Sequence, residues 1–210
     1  MVEENIKLAD VRAKIMHSAI ELFKQYGFKS VTMDDVARRA GISKKTLYQH
    51  FDNKNTIVID TMVWYKDNLC EACDAIQAAS ENAVEAFVKI KASFDNVYKE
   101  VNPHIIFELQ RFYPEGYDQF RKNMERDVAS VKVNLDQGVQ EGNYREGINT
   151  DILSRFHMES CLMIMMPNII VQDRFDLRLV NQEMMEHFMY GIMTPKGIKL
   201  YLKYKEQYLK

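Results

Sequence analysis

Apolar residues recur along the chain at three- and four-residue intervals. Gly, Pro and Asn punctuate them, which is the pattern of a protein built from helices. Val11, Ile15, Ala19, Leu22 and Phe23 share one face of a helix predicted over Asp10 to Tyr26. Gly27 stops it, and residues 1–8 read as a loose arm before it. Met33, Val36, Ala37 and Ala40 form the apolar face of a second, short helix. Thr32 opens that helix, with Asp35 at capping-box spacing, and Gly41 closes it. Ser43 reads as the N-cap of a third helix over Lys44 to Phe51. Asn53 then opens a long helix to about Ser80, whose inward stripe is Met62, Tyr65, Leu69, Cys73 and Ile76.

The same periodicity predicts Asn82 to Val101, a break at Pro103, and a short apolar helix from His104 to Tyr113. Pro114-Glu115-Gly116 reads as a turn, followed by an amphipathic helix from Tyr117 to Glu141 that ends at Gly142-Asn143. Thr150 reads as the cap of a helix over about 150–171 that is apolar nearly all round, kinked or ended by Pro167. A helix without a polar face is buried on two sides. Asp176 to Ile192 follows, with Leu177, Val180, Met184, Phe188 and Met189 in its stripe. Thr194-Pro195-Lys196-Gly197 reads as a break before a tail helix from Ile198 to Leu209. The fold class is therefore all-α.

One stretch carries recognisable chemistry. Residues 32–51 are two short helices joined by a turn containing glycine, the minimal form of a helix-turn-helix. In the second of these helices Leu47 and Phe51 are four apart and face inward. Lys44, Lys45, Tyr48 and Gln49 fall on the opposite side, where they suit phosphates and base edges. Thr32, Ser43, Thr46, His50 and Lys54 complete the expected DNA surface; Lys54 lies in the first turn of the long helix, where a phosphate meets the positive helix end. Tyr48 and Lys54 are expected on phosphates, Lys45 and Gln49 on bases. Lys7, Arg12 and Lys14 on the bracing helix either reach phosphates or stay solvated.

The run AIELFKQYGFKSVTMDDVARRAGISKKTLYQHFDNK resembles the DNA-binding domain of the TetR/AcrR family of bacterial transcriptional regulators. The resemblance rests on Ala19, Leu22 and Phe23, on Gly27-Phe28, Thr32, Val36-Ala37, Ala40-Gly41-Ile42-Ser43, and on Leu47-Tyr48, His50-Phe51 and Lys54. It covers residues 9–69. It implies a three-helix DNA-binding domain over 1–55 and a larger helical ligand-binding and dimerisation domain over 56–210. It also implies a homodimer joined by a four-helix bundle, two DNA heads on two half-sites of an operator, and a small-molecule pocket in the body. One departure stands out. Many members carry Gly where this chain has Lys45, so a long cation replaces a close backbone approach.

Helices 150–171 and 176–193 are the expected dimer interface, through Met158, Cys161, Leu162, Met165, Met184 and Phe188. The expected pocket is lined by Met62, Trp64, Tyr65 and Leu69, by Phe107, Phe112 and Tyr113, and by Tyr117 and Met124. Two prolines flanking the short helix make irregular packing, and hence a cavity, least costly there. Thirteen methionines suit an adaptable apolar ligand, a lipophilic compound or fatty acyl derivative, and equally suit a helical core.

Composition narrows the alternatives. Only 8 Gly and 4 Pro among 210 residues argue against sandwiches and disorder. Residues 1–55 hold 10 Lys/Arg against 7 Asp/Glu and the remainder 18 against 23, so a basic head sits on an acidic body. No run of about 18 apolar residues is present, and the N-terminus lacks a signal-peptide pattern, so the expected location is the cytoplasm. Cys70 and Cys73 form a CxxC without a second pair or a nearby His, a poor zinc site; a thiol sensor there is an alternative to plain helix packing. His17, His50, His104, His157 and His187 show no metal pair, and no nucleophile has a catalytic setting, so no enzyme, metal or cofactor is expected. An interaction protein that keeps the helix-turn-helix only as scaffold, or a cryptic enzyme, is the reading from another class.

Overall fold

The computed structural model describes residues 2–102, 104–166 and 175–209, without the side chains of 2–9 and 96–100. Among the described residues ten helices follow one another. They are α1 (Val2–Ser30), α2 (Met33–Ala40), α3 (Lys44–His50), α4 (Lys54–Ala78), α5 (Ala83–Glu100), α6 (Ile105–Phe112), α7 (Pro114–Gln140), α8 (Thr150–Ile164), α9 (Leu177–Ile192) and α10 (Pro195–Tyr208). The all-α class expected from the periodicity holds. Among the described residues, no helix is long and apolar enough to cross a membrane, and no group of His, Cys, Asp and Glu side chains is placed to hold a metal.

Two compact units emerge. The first is Met1–Asn68 with Val101–Arg121; the second is Leu69–Glu100 with Lys122–Lys210. The units do not part at residue 55, because α6 returns to pack on α1 through Ile105, Ile106 and Leu109. α4 and α7 each begin in the first unit and continue into the second.

In the first unit Ile15, Ala19, Phe23, Phe28, Val36, Ala37, Leu47, Phe51, Ile57 and Leu109 are buried. The Phe23 and Phe28 rings lie 5.0 Å apart, and Tyr113 meets Phe28 edge-on at 5.7 Å. α1 begins at Val2 rather than at Asp10, since nothing between Glu3 and Ala9 is a Gly or Pro that would break it. At Gly27 the chain kinks with φ 76° and ψ 167°, a conformation essentially confined to glycine. A Cβ there would fall 2.8 Å from the Glu108 carboxylate, so the kink and α6 close on each other. The Glu108 Oε2 accepts the Lys29 N–H at 3.0 Å.

Prolines read as breaks prove to be helix starts. Pro114 is the first residue of α7, not part of a turn, because a first-turn N–H has no helical partner to lose. Gly116, one turn in, is buried where a Cβ would meet Ile59 at 3.2 Å and Leu109 at 3.3 Å. Pro195 likewise opens α10, with Thr194 accepting the Gly197 N–H as cap. Gly197 is needed there, since a Cβ would fall 2.1 Å from the Asn143 carbonyl oxygen.

The second unit packs α5, α9 and α10 together around Val84, Phe87, Val88, Leu135, Tyr144, Met189, Ile192, Tyr201 and Tyr204. The Tyr144 ring fills the notch left by Gly138, where a Cβ would come within 2.0 Å of it. Its hydroxyl donates to Asn134 Oδ1, whose amide in turn donates to the Ala83 carbonyl. Asn149, not Thr150, caps α8, accepting the Ile152 N–H at 3.0 Å. In α9 the buried stripe is Asn181, Met185, Phe188, Met189 and Ile192, rotated from the expected Leu177, Val180 and Met184. α8 ends at Ile164 with Met165 as its C-cap, short of the expected residue 171 and before Pro167, which lies outside the described residues.

His157 is buried in this core, 5.3 Å from the Phe87 ring and 4.6 Å from Phe188. Burial pushes its pKa down to about 4 from 6.5. Between those two values the unfolded chain binds the extra proton, so stability is present above pH 6.5 and is lost as pH falls toward 4. The loss reaches on the order of 3 kcal/mol. A His157→Phe variant should show a shallower decline than the wild type in urea unfolding across this range. Parallel curves would mean that His157 contributes nothing to the pH dependence.

Candidate nucleic-acid interface

α2 and α3 are set by their caps. Thr32 and Asp35 form the full capping box, with the Thr32 N–H on Asp35 Oδ2 at 3.0 Å and the Asp35 N–H on Thr32 Oγ1 at 3.2 Å. The Thr32 hydroxyl donates to the same carboxylate at 2.6 Å and, as the main cause, holds the Asp35 pKa low. Gly41 ends α2 at φ 65° and ψ 37°. The Gly41 N–H bonds Arg38 O and the Ile42 N–H bonds Ala37 O, the paired bonds of a Schellman closure. Ser43 Oγ accepts the Thr46 N–H at 3.0 Å and opens α3.

α3 buries Leu47 completely, and Phe51 just beyond it is 1% exposed. With those two anchors inside, Lys44, Lys45, Tyr48 and Gln49 project to solvent. Thr46 and His50 are half-buried, and Thr32 and Ser43 are exposed at the two caps. The sequence-predicted residues of α3 are thus exposed or half-buried, on a helix whose inner side carries Leu47 and Phe51.

Lys44 and the neighbouring α2 arginines are engaged within the chain. Lys44 pairs with Asp34, Arg38 with Asp35 at 2.7 Å, and Arg39 with Glu21 at 2.7 Å. Exposed pairs of this kind are worth less than about 1 kcal/mol, so a phosphate can displace them. Lys54 is further from a simple phosphate ligand. Its ammonium donates to the Lys29 carbonyl at 3.3 Å, and burial lowers its pKa against the opposing pull of Glu108 and Asp35. Arg12, expected to reach phosphates or solvent, is turned inward onto the His50 carbonyl. The side chain of Lys7 lies outside the described residues.

The residues expected to line a pocket divide between the units. Met62, Trp64, Tyr65, Phe107, Phe112, Tyr113 and Tyr117 belong to the first, Leu69 and Met124 to the second. Met62 and Met124 are buried, while Trp64, Tyr65, Leu69, Phe107, Tyr113 and Tyr117 are half-buried. Phe112 is 45% exposed and carries the Lys29 and Arg111 cations near its ring. Burial raises the Tyr113 pKa. Lys24 lies 5.7 Å from the Tyr65 ring, and Tyr117 stacks on Phe120.

Of the residues expected in a dimer interface, Leu162, Met165 and Phe188 are buried within the subunit, and Met158, Cys161 and Met184 are half-buried. The apolar side chains exposed on α8 and α9 are Ile152, Phe156, Leu179 and Tyr190. A helix apolar all round does not declare in its sequence which side the rest of the chain covers. Cys70 is buried and its thiol donates to the Asp127 carboxylate at 3.0 Å. A carboxylate acceptor is the reverse of the electropositive surroundings that activate a cysteine.

Residues 15–61 match the family model for bacterial regulatory proteins of the TetR family. The transcriptional repressor KstR2 of Mycobacterium tuberculosis is 26% identical over 149 residues, covering 69% of this chain and 74% of the relative. The biofilm operon negative regulator IcaR of Staphylococcus aureus is 28% identical over 121 residues, covering 58% and 59%. A transcriptional regulator from Cytophaga hutchinsonii has the same fold, with a TM-score of 0.68 at 19% identity over 86% of this chain and 97% of that one. Helix-turn-helix geometry, family model and relatives agree for the N-terminal part, and residues 15–61 are a DNA-binding domain of the TetR-family type.

Proposed function

We propose that the chain is a repressor that binds operator DNA as a homodimer through α3 and is released by a small, largely apolar ligand. The observation that carries the DNA reading is the outward set Lys44, Lys45, Tyr48 and Gln49 on a helix whose inner side is locked by Leu47 and Phe51. An amide and a long cation reach base edges; a phenol at the flank reaches phosphate. We assign Lys45 and Gln49 to bases, Tyr48 to phosphate, and Lys54 to phosphate once it leaves Lys29. The repressor sense is supported by KstR2 and IcaR, both described as acting negatively.

Dimerisation is the reading for α8 and α9. Ile152 at 64% and Phe156 at 57% exposure lie one turn apart, and Leu179 and Tyr190 add to the apolar surface. Such patches mark association sites, and two-fold closure is the commonest outcome. For the ligand, the half-buried aromatic residues Tyr65, Phe107, Tyr113 and Tyr117 on α4, α6 and α7 of the first unit are the supporting feature. A ligand that touches these helices shifts the balance only by its differential affinity for the bound and released arrangements. The Cys70/Cys73 sensor has no supporting geometry.

Three outcomes are expected. Selection from a random duplex library should yield a near-palindromic site, and Gln49→Ala should change preference at one base position by roughly 1–3 kcal/mol. An unchanged selected site would remove Gln49 from base reading. Ile152→Glu with Phe156→Glu should give monomers in sedimentation that bind the site poorly, whereas a wild-type monomer without DNA would contradict the dimer. Tyr65→Ala should keep site affinity but lose release by whichever lipophilic compound releases the wild type. Equal release of both proteins would place the ligand elsewhere.

A further inference from the structure

We infer that Arg12 is the positioning residue of the recognition helix, holding its exit end through one guanidinium rather than contacting DNA. This rests on α3 being the helix that reads DNA. α3 has seven residues and ends at Phe51 in an extended conformation, φ −142° and ψ 116°. Its last carbonyls have no helical partner, and their partial negative charge favours a cation. Arg12 Nη1 donates to the His50 carbonyl at 2.7 Å. Nη2 of the same group pairs with Asp60 on α4, and the Arg12 guanidinium carbon sits 4.2 Å from the Phe51 ring centroid. Side-chain exposure is 39% for Arg12 and 34% for Asp60, so the pair is partly open to solvent and its value lies in fixed geometry rather than in charge burial.

Three segments therefore meet at one planar group: α1 supplies it, α3 and its cap supply a carbonyl and a ring, and α4 supplies the carboxylate. Arginine suits this because its rigid fork makes two bonds in fixed directions while its face stacks on an aromatic ring. Lysine keeps the charge but cannot make all three contacts. At its N-terminal end α3 is fixed by Ser43 and along its inner side by Leu47. Without Arg12 the exit end keeps its Phe51 anchor but loses the bond on the His50 carbonyl and the cation over the Phe51 ring, and the aim of Lys45 and Gln49 loosens. Both terminal nitrogens already have protein partners, so a phosphate contact would require giving one up.

The test uses the full chain and the duplex that the wild type selects. Affinity for that duplex and for a scrambled one is measured against salt for wild type, Arg12→Lys, Arg12→Ala and Asp60→Asn, with thermal unfolding of each. Arg12→Lys should lose about tenfold or more on the selected duplex, the order carried by one good base contact. The scrambled duplex and the salt slope should be nearly unchanged, because the charge and the phosphate contacts remain. Asp60→Asn should lose in the same direction, and adding it to Arg12→Lys should cost little more, as for residues acting as a unit. A slope reduced by about 0.9 in Arg12→Ala would instead mean a phosphate contact and overturn the inference. Equal losses on both duplexes, full affinity in Arg12→Lys, or unfolding of every variant would overturn it as well. If the wild type selects no duplex, the DNA reading itself fails, and this inference with it.

Discussion

A seven-residue helix has almost no stability of its own in water, because nucleation is costly and most of its backbone groups have no internal partner. α3 of this chain, the helix proposed to read DNA, is such a helix. What holds it is external at every point: the Ser43 cap, Leu47 buried completely, Phe51 buried at the exit and Arg12 on the His50 carbonyl. The arrangement leaves the outward side chains free of any packing duty. The outward surface can therefore vary while the scaffold beneath it stays constant.

The scaffold in turn depends on Gly27. Only a residue without a side chain adopts that φ and ψ and lets Glu108 approach. The kink turns Phe28 into the core against Phe23 and Tyr113, and frees the Lys29 N–H to bond Glu108 and the Lys29 carbonyl to bond Lys54. The start of α4 and the middle of α6 are thus joined through one stretch of backbone. A small movement of α6 reaches α1 directly, without passing along α4.

Much of this was legible in the sequence because it is written in local chemistry. Thr32 with Asp35, Gly41, Ser43 and Asn53 act where spacing puts them. The misplaced features needed information from distant residues. Pro114 and Pro195 can close one helix or open the next, and only the packing of Gly116 on Ile59 and of Gly197 on Asn143 decides. The inward turn of Arg12 depends on Asp60, 48 residues away. The orientation of α8 was hidden because Ile152 and Phe156 are as apolar as the residues buried beside them. At the candidate DNA surface the residue types were readable, while their pairing with Asp34, Glu21 and the Lys29 carbonyl was not.

The return of residues 101–121 to the first unit bears on how such regulators can be recombined. Cutting the chain after the helix-turn-helix would uncover the side of Phe28 that Tyr113 covers and leave Gly27 and the Lys29 N–H without the carboxylate that faces them. A transplantable reading module is therefore discontinuous. A hybrid built from two family members would have to carry α6 and the first turns of α7 along with the head, or supply from the recipient a glutamate and an aromatic ring in the same two places. Evolution by exchange of N-terminal segments meets the same restriction, whereas substitution of the exposed side chains of α3 does not disturb these contacts.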